Sequence, residues 1–421
     1  MKKIMFMFSF VLAIITSAII ASALNNSDSN NTINSNKKIA KNNFYTILIE
    51  TDVGSGEYVE STSDEWPSGD YVLNEKLSGC KNGSEISFDE ENKIVYVSAL
   101  SSDSCYVYFN KGSLFSNYIK ELYTSDGIND LYLHDGLGTY GTLEASDNSY
   151  RYSGPNPNNY VCFGTDANPC PVDNLYRIIG VFDNNVKLIK YDYATSDALG
   201  IDGDYYGTNR TPDSNYYNGL QNTIAEYGWN NLNYSATNEA TGYYNVWKYS
   251  YLNTLNLNNN FINYLGKEWS NKIILAQWYN GGLSSQIGIN NSVKTVYDYE
   301  LGINKIILSP FEPINTKIGL MYLSDYGYAA SPSNWNTNLG NYNNSNIINN
   351  NWIFIGFYDW TITRNNSSST SAFYITTTGN VTSSSSITGT SRAAIRPTFY
   401  LNDNVTYVSG DGSIDNPYRI N

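Results

Sequence analysis

The sequence predicts an α+β protein, in which a small N-terminal all-β sandwich precedes a larger α+β domain. Six short β-type runs, separated by turn residues, fill positions 43–111. Farther along, a dense apolar run at 175–182 (LYRIIGVF), an Asp-Asn turn and an alternating run at 186–191 (VKLIKY) predict a β-hairpin. Apolar residues at helical spacing over 114–123 and 247–274 add the α-helical component.

The chain begins with the layout of a bacterial secretory signal peptide at 1–23. Two lysines precede an apolar run over 4–20, which ends at the small-x-small cleavage motif Ala21-Ser22-Ala23. The alternative is an uncleaved membrane anchor, because 5–24 is about long enough to span a bilayer. Either form predicts a secreted or cell-surface protein that contacts the membrane only through this segment.

A polar, aperiodic spacer at 24–42 leads to the predicted sandwich at 43–111. The domain boundary is predicted near Lys111, and 112–159 is interpreted as a connecting helix and strand, with the helix at 114–123. The predicted strands of the sandwich are 44–50, 58–60, 71–74, 85–88, 93–99 and 105–109.

The larger predicted domain spans 160–421 and is centred on the hairpin. The tract at 192–245 is crowded with Gly, Asn, Asp and Tyr. Because it is long for a loop in a compact domain, it indicates a functional insertion or a variable surface segment. Helices are predicted over 247–274 and 293–299. The segment 273–279 is predicted to be a buried strand or the end of the preceding helix. The remaining predicted strands are 317–324 (followed by a turn at 325–328), 352–360, 372–376, 380–382, 393–401 and 406–409.

Four cysteines fall into two local pairs, which predicts disulfide bonds in an exported chain. The pairs are Cys80 with Cys105 and Cys162 with Cys170. Four cysteines permit three connectivities, so this pairing follows from proximity alone. Loop-closure entropy gives each bridge a contribution of about 2.5–3.5 kcal/mol. A metal site is the alternative, but the chain has no C-x-x-C motif and a single histidine, His134.

The chain is acidic, with 25 basic and 39 acidic residues and a formal net charge of −14. Nucleic acids and anionic membranes attract clustered Lys and Arg, so both are disfavoured as partners. The 39 tyrosines and the abundant asparagines suit a surface that binds sugars or peptides. An AT-rich genome produces the same bias, so composition by itself identifies no ligand.

From about position 160 to its end, the chain resembles an uncharacterised domain family of bacterial exported proteins. The motifs that carry the resemblance include NLYRIIGVFDNNVKLIK, KIGLMYLSDYGYAASPSNW, WIFIGFYDWTITR, AAIRPTFYLN and YVSGDGSIDNPYRI. The aromatic strand followed by Arg396-Pro397 is also distantly similar to the C-type-lectin-like fold shared with formylglycine-generating-enzyme domains. The resemblance implies a C-type-lectin-like architecture for 160–421 and brings no established activity. Some members carry type IV prepilin leaders, which makes a pilus-like structural subunit one expectation.

Enzyme functions find little support in these residues. A Ser–His or Cys–His nucleophile would need His134, which lies in a His-Asp-Gly turn where a solvated or capping role is expected. Formylglycine-generating chemistry needs unpaired cysteines, and all four have predicted partners. The enzymatic alternative is a secreted carbohydrate-active hydrolase with two carboxylates. Its candidate carboxylates, which lie beside aromatic residues without a selective spacing, are Glu226, Glu268, Glu300 and Asp359.

Two oxygen-rich loops offer the ligands that Ca²⁺ prefers. They are Asp202-Gly203-Asp204 and Asp411-Gly412 with Asp415. Neither follows the D-x-D-x-D-G…E pattern, and the lectin-type Glu-Pro-Asn and Trp-Asn-Asp motifs are missing. Turn formation is therefore the default interpretation, and no cofactor is predicted.

The predicted function is non-catalytic recognition of an extracellular glycan, peptide or cell-wall component. Aromatic side chains in loop-like tracts could stack on such a ligand. Trp352 and Trp360 lie in an apolar run and are predicted to be core, and Arg396 is predicted to be a structural ion-pair or backbone-bonding residue, or an anion receptor where it lines a pocket. The candidate binding residues, with the strongest first, are Trp335, Tyr326, Tyr328, Trp229 and Trp247.

Overall fold

Strands and helices both run through the computed structural model, so the α+β class is confirmed. The structure describes residues 30–34, 45–52, 55–62, 67, 71–89, 94–98, 103–201, 209–212, 215–230, 243–384, 387 and 391–421. The predicted signal peptide and the Asp202-Gly203-Asp204 loop lie outside these residues. Within them, no helix is both long and apolar enough to cross a membrane. The chain divides into two units, Met1–Ser113 and Leu114–Asn421.

Two β-sheets form the described part of the first unit. In one sheet β7 lies between β1 and β6; in the other the order is β3-β2-β8-β4, and β5 also pairs with β8. All six predicted strands are present close to their predicted bounds. The strands are β1 (Asn30–Asn34), β2 (Tyr45–Glu50), β3 (Tyr58–Glu60), β4 (Tyr71–Leu73), β5 (Gly79–Cys80), β6 (Glu85–Asp89), β7 (Ile94–Ser98) and β8 (Cys105–Lys111).

One hydrophobic core draws on both sheets of this unit. Val95 and Val97 of β7 are buried in the same cluster as Ile47 of β2 and Val107 and Phe109 of β8. Every second residue of β8 points inward, as its alternating sequence predicts. β2 and β8 run parallel, whereas the other strand pairs described in this unit are antiparallel.

Both predicted disulfides are confirmed. Cys80 and Cys105 face each other on the antiparallel pair β5–β8, with their Cα atoms 4.0 Å apart. Cys162 and Cys170 are joined in the second unit at a Cα separation of 5.8 Å. No cysteine of the chain is free.

The second unit contains mostly short strands, with helices between them. Its strands are β9 (Leu131–Leu133), β10 (Tyr150–Tyr152), β11 (Tyr160–Cys162), β12 (Leu175–Phe182), β13 (Asn185–Lys190), β14 (Ala276–Trp278), β15 (Ile314–Thr316), β16 (Ile318–Gly319), β17 (Asp359–Arg364), β18 (Ala372–Ile375), β19 (Val381–Ser384), β20 (Thr398–Tyr400), β21 (Tyr407–Ser409) and β22 (Arg419–Ile420). Its α-helices are α1 (Phe115–Glu121), α2 (Ser196–Leu199), α3 (Ile262–Ser270), α4 (Ser285–Asn290), α5 (Val293–Glu300), α6 (Leu323–Tyr328) and α7 (Ser345–Ile348).

The predicted hairpin is confirmed and lies at the centre of the main sheet. β12 and β13 pair antiparallel within the order β16-β20-β13-β12-β10-β9, and β11 also pairs with β12. Asp183 makes the turn possible by taking a left-handed conformation with φ of 53°. Every residue of β12 except Phe182 is buried, because other strands and helices cover both of its faces.

The segment 112–159, predicted to connect two domains, belongs to the second unit from Leu114 onward. Helix α1 is confirmed within the predicted range 114–123. β9 and β10 extend the main sheet, because β10 pairs with both β9 and β12. This segment therefore supplies an edge of the same sheet that holds the hairpin.

Three predictions about the second unit are wrong. The strand predicted at 317–324 is reduced to Ile318–Gly319, and the turn predicted at 325–328 is helix α6. The carboxylate of Glu300 accepts hydrogen bonds from the N–H groups of Leu323 and Ser324 at the start of that helix.

The strand predicted at 352–360 begins only at Asp359, and the apolar residues before it form buried turns. The helical prediction for 247–274 is confirmed by a 3-10 turn (Trp247–Tyr249), a π-helix (Leu252–Phe261) and α3.

Within the 192–245 tract, the buried carboxylate of Asp192 holds residues 217–221 beside the end of the hairpin. Asp192 follows β13 and accepts hydrogen bonds from the N–H groups of Leu220 and Gln221 and from the hydroxyl of Tyr217. Charge-assisted bonds of this kind are about twice as strong as neutral ones. Residues 215–221 are thereby held in place beside the main sheet.

Candidate functional site

The five aromatic residues predicted to bind a ligand are buried, so the predicted exposure is wrong. Two of the three tryptophans use their indole N–H groups inside the fold: Trp335 donates to the carbonyl of Ala330, and Trp229 to that of Thr361. Loops in this unit pack around such rings, so a loop-like sequence does not imply an exposed side chain. All five have a relative exposure of 0–1%: Trp229, Trp247, Tyr326, Tyr328 and Trp335.

A different group of residues lines a cleft of about 510 Å³ in the second unit. Its size falls within the range of small-ligand sites. The aromatic rings that line it are Tyr160, Tyr191, Tyr216, Trp352 and Phe354. Five asparagines also line it: Asn156, Asn215, Asn218, Asn349 and Asn351. The sequence did not predict this cleft, because the residues that line it come from four separate parts of the chain.

Among the described residues that line this cleft, Arg177 of β12 is the charged one. It is 4% exposed, and its guanidinium lies 4.2 Å from the ring centre of Tyr160 and 4.6 Å from that of Trp352. Such contacts between a guanidinium and an aromatic face are attractive. One signal in the sequence could have identified it, because it is the single charge in the apolar run LYRIIGVF.

All the hydrogen-bond acceptors of Arg177 are neutral. Its Nε donates to Asn159 Oδ1 at 2.7 Å, and its Nη1 to the Trp352 carbonyl at 3.2 Å. Its Nη2 donates to Asn156 Oδ1 at 3.3 Å and to the Pro157 carbonyl at 2.9 Å. No carboxylate of the described residues pairs with it, and burial lowers the pKa of Arg177 to about 10.

Hydrogen bonds hold the rim of the cleft in position. Tyr191 donates its hydroxyl to the carbonyl of Asn218 at 3.3 Å, and the N–H of Asn218 donates to the carbonyl of Ile355. Tyr216 stands at this rim, 47% exposed, with its ring centre 6.5 Å from that of Phe354. An exposed ring over a polar cleft is a suitable platform for a sugar face.

The carboxylates considered for hydrolysis lie elsewhere. Glu300, the last residue of α5, accepts hydrogen bonds from the N–H groups that begin α6, and Asp359 forms a buried ion pair with Arg396 at 2.5 Å. Glu226 lies 3.5 Å from Arg210 in a second cleft of about 280 Å³. Among the described lining residues, Glu226 is the one carboxylate of that second cleft, and the larger cleft has none. The fourth candidate, Glu268, lies exposed on α3.

The one histidine has a structural position. His134 was predicted to have a solvated or a capping role; it is fully buried, so the solvated role is wrong, and its Nδ1 accepts a hydrogen bond from the N–H of Ala145 at 3.0 Å. The ring is therefore neutral, with its proton on Nε2, and it packs against Tyr328 and Trp335. Burial, together with the positive charge of Arg151, lowers the pKa of His134 well below its ordinary value.

This burial predicts a pH-dependent stability in the second unit. His134 stays neutral when folded and takes up a proton below about pH 6.5 when unfolded, so its contribution is full above that pH and is lost as the pH falls. His134→Asn keeps an acceptor for Ala145 but cannot titrate. We expect the stability difference between wild type and this variant to shrink by about 2 kcal/mol between pH 7.5 and pH 5.

The measurement is denaturant unfolding followed by tryptophan fluorescence, which reports the second unit because seven of the eight tryptophans lie there and Trp66 alone precedes it. Other groups titrate in the opposite direction: burial raises the pKa of Asp359 to about 6 despite the neighbouring Arg396. Their contributions to the pH dependence are the same in wild type and variant, so the comparison removes them. A difference that stays constant over this pH range would show that the folded protein protonates His134 freely.

The Asp411 loop is a hydrogen-bonded turn. The Asp411 carboxylate accepts the N–H of Ser413 at 2.9 Å, and hydrogen bonds from Ser413 lower the pKa of Asp411. Within the described ranges, one group of residues has the spacing of a metal site: Cys80, Asp103 and Cys105. The two sulfur atoms of that group form a disulfide, so they do not offer thiolate ligands.

Comparison of the chain with protein-family models, with curated proteins and with solved structures finds no match in any of the three.

Proposed function

We propose that this chain is an exported, non-catalytic recognition protein that binds an extracellular glycan in the cleft above Arg177. In this proposal the first unit is a β-sandwich module and the second a C-type-lectin-like domain. Two disulfides and no free cysteine support an oxidising, extracellular location.

The single observation that carries the proposal is the composition of the cleft. Its rings offer flat apolar faces, and its asparagine amides both donate and accept hydrogen bonds. Sugars present alternating apolar faces and hydroxyl groups, so this mixture suits them. The described lining residues include no carboxylate, histidine or cysteine that could act as acid, base or nucleophile, which favours binding over turnover.

Truncation of the exposed ring at the rim tests this proposal. We expect Tyr216→Ala to weaken glycan binding by about 5- to 150-fold, because loss of a stacking ring removes about 1–3 kcal/mol. Its effect on stability should be small, since the side chain is 47% exposed. A glycan and peptidoglycan array identifies the ligand, and titration calorimetry on the best hit measures the change.

Tyr264→Ala is the matched control. Tyr264 lies on α3, is 50% exposed and does not line the cleft. The proposal fails where both variants bind equally well, or where the array shows no binding at all. Release of reducing sugar by the wild-type protein would instead favour the secreted hydrolase.

A further inference from the structure

We propose that the glycan bound in this cleft is acidic, and that a carboxylate of the sugar chain lies against the guanidinium of Arg177. The inference rests on the function proposed above and narrows it to one class of ligand. It is carried by a buried positive charge that opens onto a cleft and has no counter-ion among the described residues.

Buried charges in folded proteins are normally paired, because an unpaired ion loses its hydration without compensation. Three other buried cations of this unit follow that rule. Arg151 pairs with Asp147 at 2.6 Å, Lys187 with Asp325 at 2.6 Å and Arg396 with Asp359 at 2.5 Å. Two more, Lys190 and Arg364, donate to carbonyls as Arg177 does, but neither of them lines this cleft.

Arg177 also keeps hydrogen-bonding capacity for a ligand. A guanidinium has five N–H groups. Four of the five have acceptors in the structure: one on Nε, one on Nη1 and two on Nη2. The remaining Nη1 hydrogen has no acceptor among the described residues. A carboxylate oxygen of a ligand can accept it and neutralise the charge at the same contact.

The surroundings favour a sugar carboxylate over other anions. A phosphate carries nearly two negative charges and is usually held by several arginines or by a row of backbone N–H groups. This cleft offers one cation surrounded by asparagine amides and aromatic rings. One positive charge matches one carboxylate, and the amides and rings match the hydroxyls and faces of the sugar that carries it.

An isosteric substitution next to Arg177 tests this inference. Asn156 Oδ1 lies 3.3 Å from Nη2, so Asn156→Asp supplies the missing counter-ion from within the protein. We expect the affinity of the variant for an acidic glycan to fall at least tenfold, because the new carboxylate at position 156 already pairs with the Arg177 guanidinium. We also expect its Tm to rise by a few degrees, since a buried ion gains a partner.

The probes are oligogalacturonate and its carboxyl-reduced neutral form, with sialyllactose and lactose as a second pair, measured by titration calorimetry. Wild type should bind the acidic member of at least one pair at least tenfold more tightly than the neutral member. Asn366→Asp is the matched control: its side chain is exposed, it is outside the cleft, and it should bind like wild type.

The outcomes separate the two levels of the proposal. Equal binding of acidic and neutral sugars overturns the acidic class but leaves glycan recognition standing. No binding to any of these sugars or to the array overturns both. Unchanged acidic-sugar affinity in Asn156→Asp, or a lower Tm, shows that Arg177 does not need the ligand's carboxylate and overturns the inference.

Discussion

Asp325→Asn is expected to lower the free energy of unfolding of the second unit by about 3–5 kcal/mol. The Asp325 carboxylate is 2% exposed and accepts hydrogen bonds from Lys187 Nζ at 2.6 Å and from the Tyr322 N–H at 2.8 Å. It also lies 3.8 Å from the guanidinium of Arg151. Asparagine preserves the shape and the bond to Tyr322, but it leaves the ammonium of Lys187 buried without a counter-ion.

Two controls distinguish the loss of charge from the loss of packing. Asp298→Asn breaks a partly exposed pair with Lys294 on α5 and should cost less than about 1 kcal/mol. Adding Lys187→Met to Asp325→Asn removes the unpaired cation, and we expect most of the lost stability to return. Denaturant unfolding followed by tryptophan fluorescence measures all of these variants. A loss below 1 kcal/mol in Asp325→Asn would contradict the prediction.

Local signals in the sequence were sufficient for the hairpin and the disulfides. The strands at Leu175–Phe182 and Asn185–Lys190 combine β-branched and aromatic residues with an Asp-Asn turn between them, and these preferences act over a few residues. Each cysteine pair spans a short stretch of chain, 25 residues or 8, so proximity selected the right partners. Neither inference needed knowledge of distant contacts.

The features that the sequence did not predict depend on contacts between residues far apart in the chain. The Asp-Tyr-Gly-Tyr sequence at 325–328 resembles a turn, but Glu300, from another helix, binds the N–H groups that begin α6. Tyr326 donates its hydroxyl to the carbonyl of Gly379, and Trp335 packs against His134. Partners that lie dozens of residues away turned predicted surface rings into core.

The candidate site was hidden for the same reason. The single arginine in a buried strand, Arg177, was visible in the sequence, but its significance depends on Asn156, Asn159 and the carbonyl of Trp352. The last of these lies 175 residues away along the chain. A charge within an apolar run is therefore a useful indicator of a site in chains like this one, although its partners become apparent only in the fold.

Gly356→Ala is expected to lower the stability of the second unit by about 2–6 kcal/mol, from strain and overpacking together. Gly356 has a φ of 87°, and a Cβ added there would lie 2.1 Å from the carbonyl carbon and oxygen of Tyr216. These are backbone atoms, so no side-chain rotation can relieve the overlap. The segment of Tyr216 would have to move away from Ile355, whose carbonyl now accepts the N–H of Asn218.

That displacement also removes one wall of the cleft, so the variant should lose the proposed glycan binding along with stability. Gly266→Ala is the matched control, because Gly266 has a φ of 75° but an added Cβ meets nothing within 4 Å. It should cost about 1–3 kcal/mol from strain alone and should bind normally. Equal losses of stability in the two variants would show that the close approach to Tyr216 is relaxed at little cost. Retained binding in Gly356→Ala would contradict the prediction. It would mean that the strain leaves Tyr216 in place and the cleft intact.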